Sequence, residues 1–418
     1  MSFYEITGGR PLAGTVAVQG AKNSVLPMMA AALLAPGVSV IHNCPDLTDV
    51  SAAMDILRLL GCSVTREGDT VTINAASPVP APIPEQLSRE LRSSVIFMGA
   101  MLSRMGTGEL AYPGGCDLGP RPIDLHLSAL RMLGADIREE QGTLRFGWSR
   151  WPRGREVCLA LPSVGATENA MLAACGCPGV TTIVGAAREP EIVDLGRFLA
   201  AMGADIAGVG ESTIVIRGGK ALFPARYTVM GDRIAGATYL CAAAAAGGEI
   251  EVTGLRGEHL SALLAILEEA GCVVYTQGAS ICLRSDGLLE GVSPVRTGPY
   301  PAFPTDCQPL LMAALAGGNG STIFVENMFD SRYRHVNELA RMGADIRVDG
   351  RVAVVKGRGR LHGASVRGTD LRGTAALVIA ALSAQGVSQV HDLRYIRRGY
   401  DGLERDLAAL GAEIRIEP

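Results

Sequence analysis

One pattern recurs six times along this chain: an apolar helical end, a glycine, a small residue and a strand. It reads LRLLGCSVTREGDTVTI around Gly61, LRMLGADIREEQGTLRF around Gly134 and LAAMGADIAGVGESTIVI around Gly203. It returns as LEEAGCVVYTQGASICL around Gly271, LARMGADIRVDGRVAVV around Gly343 and LAALGAEIRIEP around Gly411. The glycines are 73, 69, 68, 72 and 68 residues apart. Spacing this even marks an internal structural repeat, so the chain has to fold from six copies of one unit.

Each copy has a direct physical reading. Apolar residues at i, i+3 and i+4 make a helix that ends on glycine, which takes the left-handed cap conformation without strain. An alternating strand follows, such as Asp345-Ile346-Arg347-Val348, then a two-residue turn and a second strand. Upstream lies another helix, rich in alanine, leading into glycine and a β-branched strand. Examples are MMAAALLAPGVSVI (28–41), NAMLAACGCPGVTTIV (169–184), YLCAAAAAGGEIEV (239–252) and ALVIAALSAQGVSQV (376–390). These helices are apolar all round, so each is expected to be buried on every side. One core rarely serves more than roughly 200 residues, which groups the copies three plus three. The expected fold class is α/β: two similar domains, each with three buried parallel helices ringed by strands and outer helices.

Composition narrows the function classes. Apolar residues make up 48% and charged residues 19%, which excludes a disordered chain. The 52 glycines among 418 residues follow no three-residue period, which excludes collagen. Lys+Arg 38 against Asp+Glu 42 gives a net charge of −4, without the basic bias of a nucleic-acid or anionic-membrane binder. The longest apolar stretch, Val25 to Ile41, is broken by Pro27, Pro36 and Gly37, too soon for a spanning helix. Met1 to Arg10 carries neither the basic segment nor the apolar run of a signal peptide, so a cytoplasmic protein is expected. The cysteines at 44, 62, 116, 158, 175, 177, 241, 272, 282 and 307 then read mostly as small buried hydrophobes.

Polar residues gather where the buried helices start: Lys22-Asn23, Arg92-Ser93, Thr167-Glu168, Asp232-Arg233, Thr305-Asp306 and Asp370-Leu371-Arg372. Parallel helices bring their N-termini to one face, where N–H groups and dipoles attract anions. A cation in a first turn, as at Lys22 or Arg92, opposes the dipole, and a bound anion such as phosphate resolves the conflict. The bland alternative is a solvated lysine and arginine on a surface loop. Segment 112–122, YPGGCDLGPRP, is a glycine-rich loop centred on Cys116, which lacks apolar neighbours. Arg121 favours its thiolate and Asp117 opposes it. Such a thiol suits a nucleophile or a proton donor.

Other motifs carry less. Cys175-x-Cys177 is spaced too closely for a zinc pair and has no partner pair, so packing is the reading and no metal is expected. No glycine string sits at a strand-to-helix turn with a ribose-binding acid downstream, and there is no P-loop, so no cofactor is expected. In RYIRRGY (394–400), Arg398 beside Gly399 can reach a phosphate as readily as solvent. Of the six histidines only His126 and His335 lie beside these segments.

The segments GAKNSVLP (20–27), PGGCDLGPRPIDLHL (113–127), LPSVGATEN (161–169), AREPEIVD (187–194), PAFPTDCQ (301–308), FDSRYRHVNELARMGADI (329–346), GTDLRG (368–373) and RRGY (397–400) carry a resemblance. Together, and in order, they resemble the enolpyruvyl transferases that act on UDP-N-acetylglucosamine at the first committed step of peptidoglycan synthesis. The resemblance runs from about residue 5 to 416. It implies an inside-out α/β barrel of two domains, each of three βαβαββ units, with substrates bound between them. It further implies that residues 1–21 join 231–418, leaving 22–230 as the other domain. The implied partners are phosphoenolpyruvate and UDP-N-acetylglucosamine, and a monomer is expected. Positive groups on both halves, Lys22 and Arg121 against Arg332 and Arg398, suggest that substrate draws the domains together.

Residue roles follow from the same resemblance. Cys116 matches the loop cysteine that protonates phosphoenolpyruvate, can form an adduct with it, and is the target of fosfomycin. Asp306 matches the acid that takes the sugar hydroxyl proton. Lys22, Arg121 and Arg398 match contacts to the phosphate and carboxylate of phosphoenolpyruvate. Asn23, Arg92, Arg121, Pro122, Ile123, Asp124, Leu125, Ser163, Val164, Gly165 and Met328 fall where the family holds the nucleotide sugar. Asp370 and Arg372 match residues near the reacting centre, and Arg332 one near phosphoenolpyruvate. Three positions depart from the common pattern: Ala235 for Glu, Arg397 for Asp, and Asp117 for a small residue. Two alternatives compete. One is the shikimate 3-phosphate enolpyruvyl transferase, which the Cys116 loop, GAKN and RPIDLH argue against. The other is a catalytically silent paralogue that binds the nucleotide sugar, which the joint presence of Lys22, Cys116, Asp306 and Arg398 argues against.

Overall fold

The computed structural model describes residues 2–113, 123–149 and 151–418. These form two compact units, one of residues 20–113 and 123–230, the other of 2–19 and 231–418. The repeat is plainest around Gly343. Strand Val295–Arg296 leads to helix Gln308–Ala316, strand Ser321–Val325, outer helix Val336–Arg341 and strands Asp345–Asp349 and Val352–Lys356. The first two strands pair in parallel, Val295 opposite Phe324. The last strand is antiparallel to both Ser321–Val325 and Asp345–Asp349. That is the βαβαββ order. Among the described residues it yields six separate sheets, three to a unit, which do not join into a closed barrel.

The arrangement is inside-out, with helices in the middle and sheets outside. From Arg233 to Ala245 every residue of helix Arg233–Ala246 is buried, as is every residue of Gln308–Ala316. Arg372 to Leu382 and Ala166 to Cys175 are buried likewise in helices Leu371–Ser383 and Val164–Cys175. The strands instead alternate, as in Thr70–Asn74 and Ser321–Val325, so each sheet covers a helix with one face and meets solvent with the other. Within the 231–418 unit the three buried helices pack against one another. Gln308–Ala316 and Leu371–Ser383 run parallel: Asp306 and Arg372 meet at their starts, and Gly317 lies beside Ser383 at their ends. In the other unit, Asn169 meets Gly99 at the helix starts and Gly176 meets Ser103 at the ends.

Two departures from a simple tandem repeat have physical causes. The chain end near Gly411 holds only one strand, Glu413–Glu417, and its missing partner is Phe3–Thr7, which inserts between it and Val387–His391. Leu12–Ala17 similarly supplies the first strand of the fourth copy, parallel to Gly248–Thr253, and Arg226–Thr228 that of the first, parallel to Val38–His42. In the second copy the opening strand shrinks to a single bridge from Ile83 to Leu110. Pro78, Pro80, Pro82 and Pro84 surround it, and proline has no N–H to donate to a ladder.

The six repeat glycines all have left-handed backbones, with φ of 83°, 105°, 93°, 102°, 90° and 95° at Gly61, Gly134, Gly203, Gly271, Gly343 and Gly411. Gly271 isolates the backbone effect, because a Cβ added there meets nothing within 4 Å. Gly271→Ala should therefore cost about 1–2 kcal/mol from φ alone. An earlier urea midpoint would show it, and an unchanged midpoint would deny the cap its role.

Candidate active site

In the 231–418 unit the polar starts of all three buried helices converge. Asp232 caps Arg233–Ala246 by accepting the N–H groups of Ile234 and Ala235 at 2.8 and 3.1 Å. Asp370 caps Leu371–Ser383 through Arg372 and Gly373, both at 3.1 Å. Gln308–Ala316 is preceded by the short turn Thr305–Cys307, which carries Asp306. Arg332 Nη2 donates to Asp306 Oδ1 at 2.7 Å, and Arg372 Nε to Asp306 Oδ2 at 3.2 Å. Arg332 Nη1 also lies 3.8 Å from Asp370 Oδ1. The side chains of Arg332 and Arg372 are 1% and 4% exposed, so neither charge would persist there without carboxylates to meet it. Burial opposes the Arg372 charge, and Tyr400, Asp306 and Asp232 together outweigh it.

Further side chains brace this group. Arg372 Nη1 donates to Tyr400 Oη at 3.1 Å, and that hydroxyl lies 2.8 Å from Thr238 Oγ1. Gln19 fixes the loop just after Arg398, donating to Gly399 O at 3.1 Å and accepting from Asp401 N at 2.7 Å. His335 is fully buried beside Arg332 and Asp370, and burial drives its ring below the usual value, so it stands there as neutral imidazole. Met328 keeps 40% of its surface exposed. Ala235 is buried in the first turn, and Arg397 faces solvent.

In the 20–230 unit the anion against Lys22 is a protein carboxylate. Lys22 Nζ meets Asp49 Oδ2 at 2.9 Å, with side chains 12% and 6% exposed. The pair sits at one of the helix starts where the sequence pattern gathers polar residues. Asn23 is exposed and Arg92 half-buried at the head of a short turn, Arg92–Ile96. Ser163 caps Val164–Cys175 by accepting from Ala166 N at 3.4 Å. A Cβ at Gly165 would sit 2.6 Å from the His126 ring, so a larger residue there would displace that ring. His126 Nδ1 in turn lies 2.8 Å from Asn169 Nδ2, whose oxygen accepts Gly99 N at 2.8 Å. Ile123 is buried, Asp124 exposed and Leu125 half-buried, at the start of helix Asp124–Met132. Cys116, Asp117, Arg121 and Pro122 lie outside the described residues.

The braces Asp49, Asn169, Thr238 and Tyr400 escape sequence reasoning. Asn169 and Tyr400 do stand inside the quoted motifs, whereas nothing local singles out Asp49 or Thr238. The nine described cysteines are all free thiols. Burial pushes Cys44, Cys175, Cys177 and Cys307 up to about 12, so these are packing groups. Cys158 corrects the buried expectation: it is exposed, with its thiol donating to Glu156. Among the described residues no cluster of three or more His, Cys, Asp or Glu is placed to hold a metal ion, and no helix is long and apolar enough to cross a membrane.

Glu168 stands buried near Glu191 and Glu189. Burial, then these two carboxylates, push it up to about 8, from 4.5. The folded chain therefore keeps a proton that the unfolded chain releases, and stability falls as pH rises from about 4.5 to about 8. Glu168→Gln should remove that part of the slope. Thermal midpoints measured across this interval check it, and parallel curves for the two proteins would contradict it.

Comparison with known proteins places this geometry in context. Residues 6–407 match the family model described as EPSP synthase (3-phosphoshikimate 1-carboxyvinyltransferase). A UDP-N-acetylglucosamine 1-carboxyvinyltransferase of Caldanaerobacter subterraneus subsp. tengcongensis is 47% identical over 414 residues, covering 99% of each chain. The crystal structure of the enolpyruvyl transferase NikO from Streptomyces tendae superposes with a TM-score of 0.89 at 27% identity, covering 100% of this chain and 99% of that one. EPSP synthase from Acinetobacter baumannii shares the fold, with a TM-score of 0.78 at 19% identity and 100% coverage of both. The six-fold architecture, the full-length match and the helix-start residues lead to one conclusion: the chain belongs to the EPSP synthase family of enolpyruvyl transferases, alongside its UDP-N-acetylglucosamine 1-carboxyvinyltransferases.

Proposed function

We propose that this chain transfers the enolpyruvyl group of phosphoenolpyruvate to the 3′-hydroxyl of UDP-N-acetylglucosamine, releasing phosphate. The observation that carries the reading is end-to-end 47% identity to a protein of that name. Lys22, Cys116, Asp306 and Arg398 all lie within the segments that carry the resemblance. The shikimate alternative has less support, since likeness to EPSP synthase at 19% identity is a likeness of fold. In the cell the protein is a cytoplasmic monomer that feeds peptidoglycan synthesis and thereby cell shape and division.

The reaction is an addition followed by an elimination. Cys116 gives a proton to the methylene carbon of phosphoenolpyruvate, making the neighbouring carbon electrophilic. The sugar oxygen bonds to that carbon as Asp306 takes its proton, giving a tetrahedral ketal. The carbon–oxygen bond to phosphate then breaks and a methyl proton leaves, restoring the vinyl group. Lys22, Arg121, Arg332 and Arg398 meet the phosphate and carboxylate charges. Asn23, Arg92, the 121–125 segment, Ser163, Val164, Gly165 and Met328 hold the nucleotide sugar, and Asp370 and Arg372 stand near the reacting centre.

Both Asp306 oxygens are occupied by guanidinium groups, at 2.7 and 3.2 Å. Each of these oxygens keeps a second lone pair, and the Asp306 side chain is 30% exposed, so a sugar hydroxyl can donate to it while the arginines stay in place.

Phosphate release from the two substrates tests the reading. Cys116→Ala should lower turnover by at least ~100-fold, the usual yield of a general acid, while Cys241→Ala keeps it. Cys116→Asp should remain active yet resist fosfomycin, because a carboxylic acid donates a proton but attacks an epoxide poorly. Activity with shikimate 3-phosphate in place of the nucleotide sugar would overturn the assignment.

A further inference from the structure

Glu326 is a buried carboxylate for which the reaction has no task. It follows strand Ser321–Val325 and is wholly inaccessible to solvent. Oε1 accepts the N–H groups of Met328 at 2.8 Å and Phe329 at 3.1 Å. Both oxygens also lie 3.0 Å from Thr305 Oγ1, which donates to them. A carboxylate in such a place is costly unless several donors meet it, and here the donors come from two separate segments.

Those two segments lead to different parts of the site. Thr305 immediately precedes Asp306, and its carbonyl accepts Arg332 Nε and Nη2 at 3.1 and 2.9 Å. The same guanidinium grips Asp306 at 2.7 Å. Thr305 is thus held through its hydroxyl by Glu326 and through its carbonyl by the arginine that orients Asp306. On the other side, Glu326 fixes the backbone of Met328 and Phe329. Asn327, between Glu326 and Met328, is clamped to Thr297 by bonds of 2.8 and 2.9 Å, which leaves the Met328 side chain standing outward.

We infer that Glu326 is a positioning residue that couples the Met328 loop to Asp306, so that seating the nucleotide sugar and placing the base are one event. This rests on the functional reading above. Its chemistry is that of an internal anion receptor reversed: the protein supplies the carboxylate, and two loop segments supply the donors.

Steady-state kinetics on the full chain test it with Glu326→Ala, Glu326→Gln, Thr305→Val and the Glu326→Ala/Thr305→Val double variant. Glu326→Ala loses both sides, so KM for UDP-N-acetylglucosamine should rise and kcat should fall, each by ~10-fold or more. Thr305→Val loses only the Asp306 side, so kcat should fall ~10-fold while KM for the nucleotide sugar stays within ~2-fold. The double variant should be no slower than Glu326→Ala alone, because both changes cut the same link. Glu326→Gln keeps the shape and an acceptor oxygen, and should recover most of the activity. Multiplying effects in the double variant overturn the inference, as does wild-type kinetics for Glu326→Ala with only a lowered melting temperature. Should Glu326→Ala not fold, the kcat-only loss in Thr305→Val decides, and unchanged kcat there overturns it. A wild-type chain that releases no phosphate from the two substrates removes both this inference and the functional reading. An active wild type with unaffected variants removes the inference alone.

Discussion

A helix with no polar side has to be covered all the way round, and helices of this kind stand at the centre of both units. Each lies beneath sheets that are apolar on one face only, so three one-sided sheets together enclose what no single sheet could. Once the helices stand parallel inside that cover, polar groups can gather only at their ends. The starts collect dipoles and unpaired N–H groups, and there the chain places its aspartates, arginines and lysine.

The Asp306 group shows the cost of that placement. Two guanidinium groups that are almost wholly buried demand carboxylates, and Asp306 and Asp370 supply them. Asp370 also has a local task as a helix cap, while Asp306 sits within the short turn Thr305–Cys307. Arg332 therefore cannot move without disturbing both Asp306 and the Thr305 carbonyl. Such mutual holding fixes the Asp306 carboxylate and the two guanidinium groups relative to one another.

Much of this was legible before any coordinates. The repeat period, the cap glycines and the all-apolar helices require a two-part α/β architecture, and the helix-start residues Lys22, Asp306, Asp370 and Arg372 stand out as charges beside apolar runs. The resemblance to enolpyruvyl transferases supplied roles that spacing could not. What stayed hidden were partners distant in sequence: Asp49 for Lys22, Glu326 for Thr305, Tyr400 for Arg372. Hydrogen bonds of this kind leave no periodic trace, because each pairing is decided by how the later segments of one repeat fold back onto the start of its buried helix.

By itself the sequence determined the unit of the fold, its number of copies, and the residue types at every helix start, since these follow from local periodicity and glycine's access to left-handed backbone. Only the tertiary structure decided which strand completes which sheet. Phe3–Thr7 fills the sheet of the last repeat and Arg226–Thr228 that of the first, pairings that run across nearly the whole chain or one whole unit. It also decided that Lys22 pairs with Asp49 and that Asp306 rests between two arginines. The physical reason is the same in each case: a buried charge or an open strand edge takes whatever partner the packed core delivers to it, and sequence distance has no part in that choice.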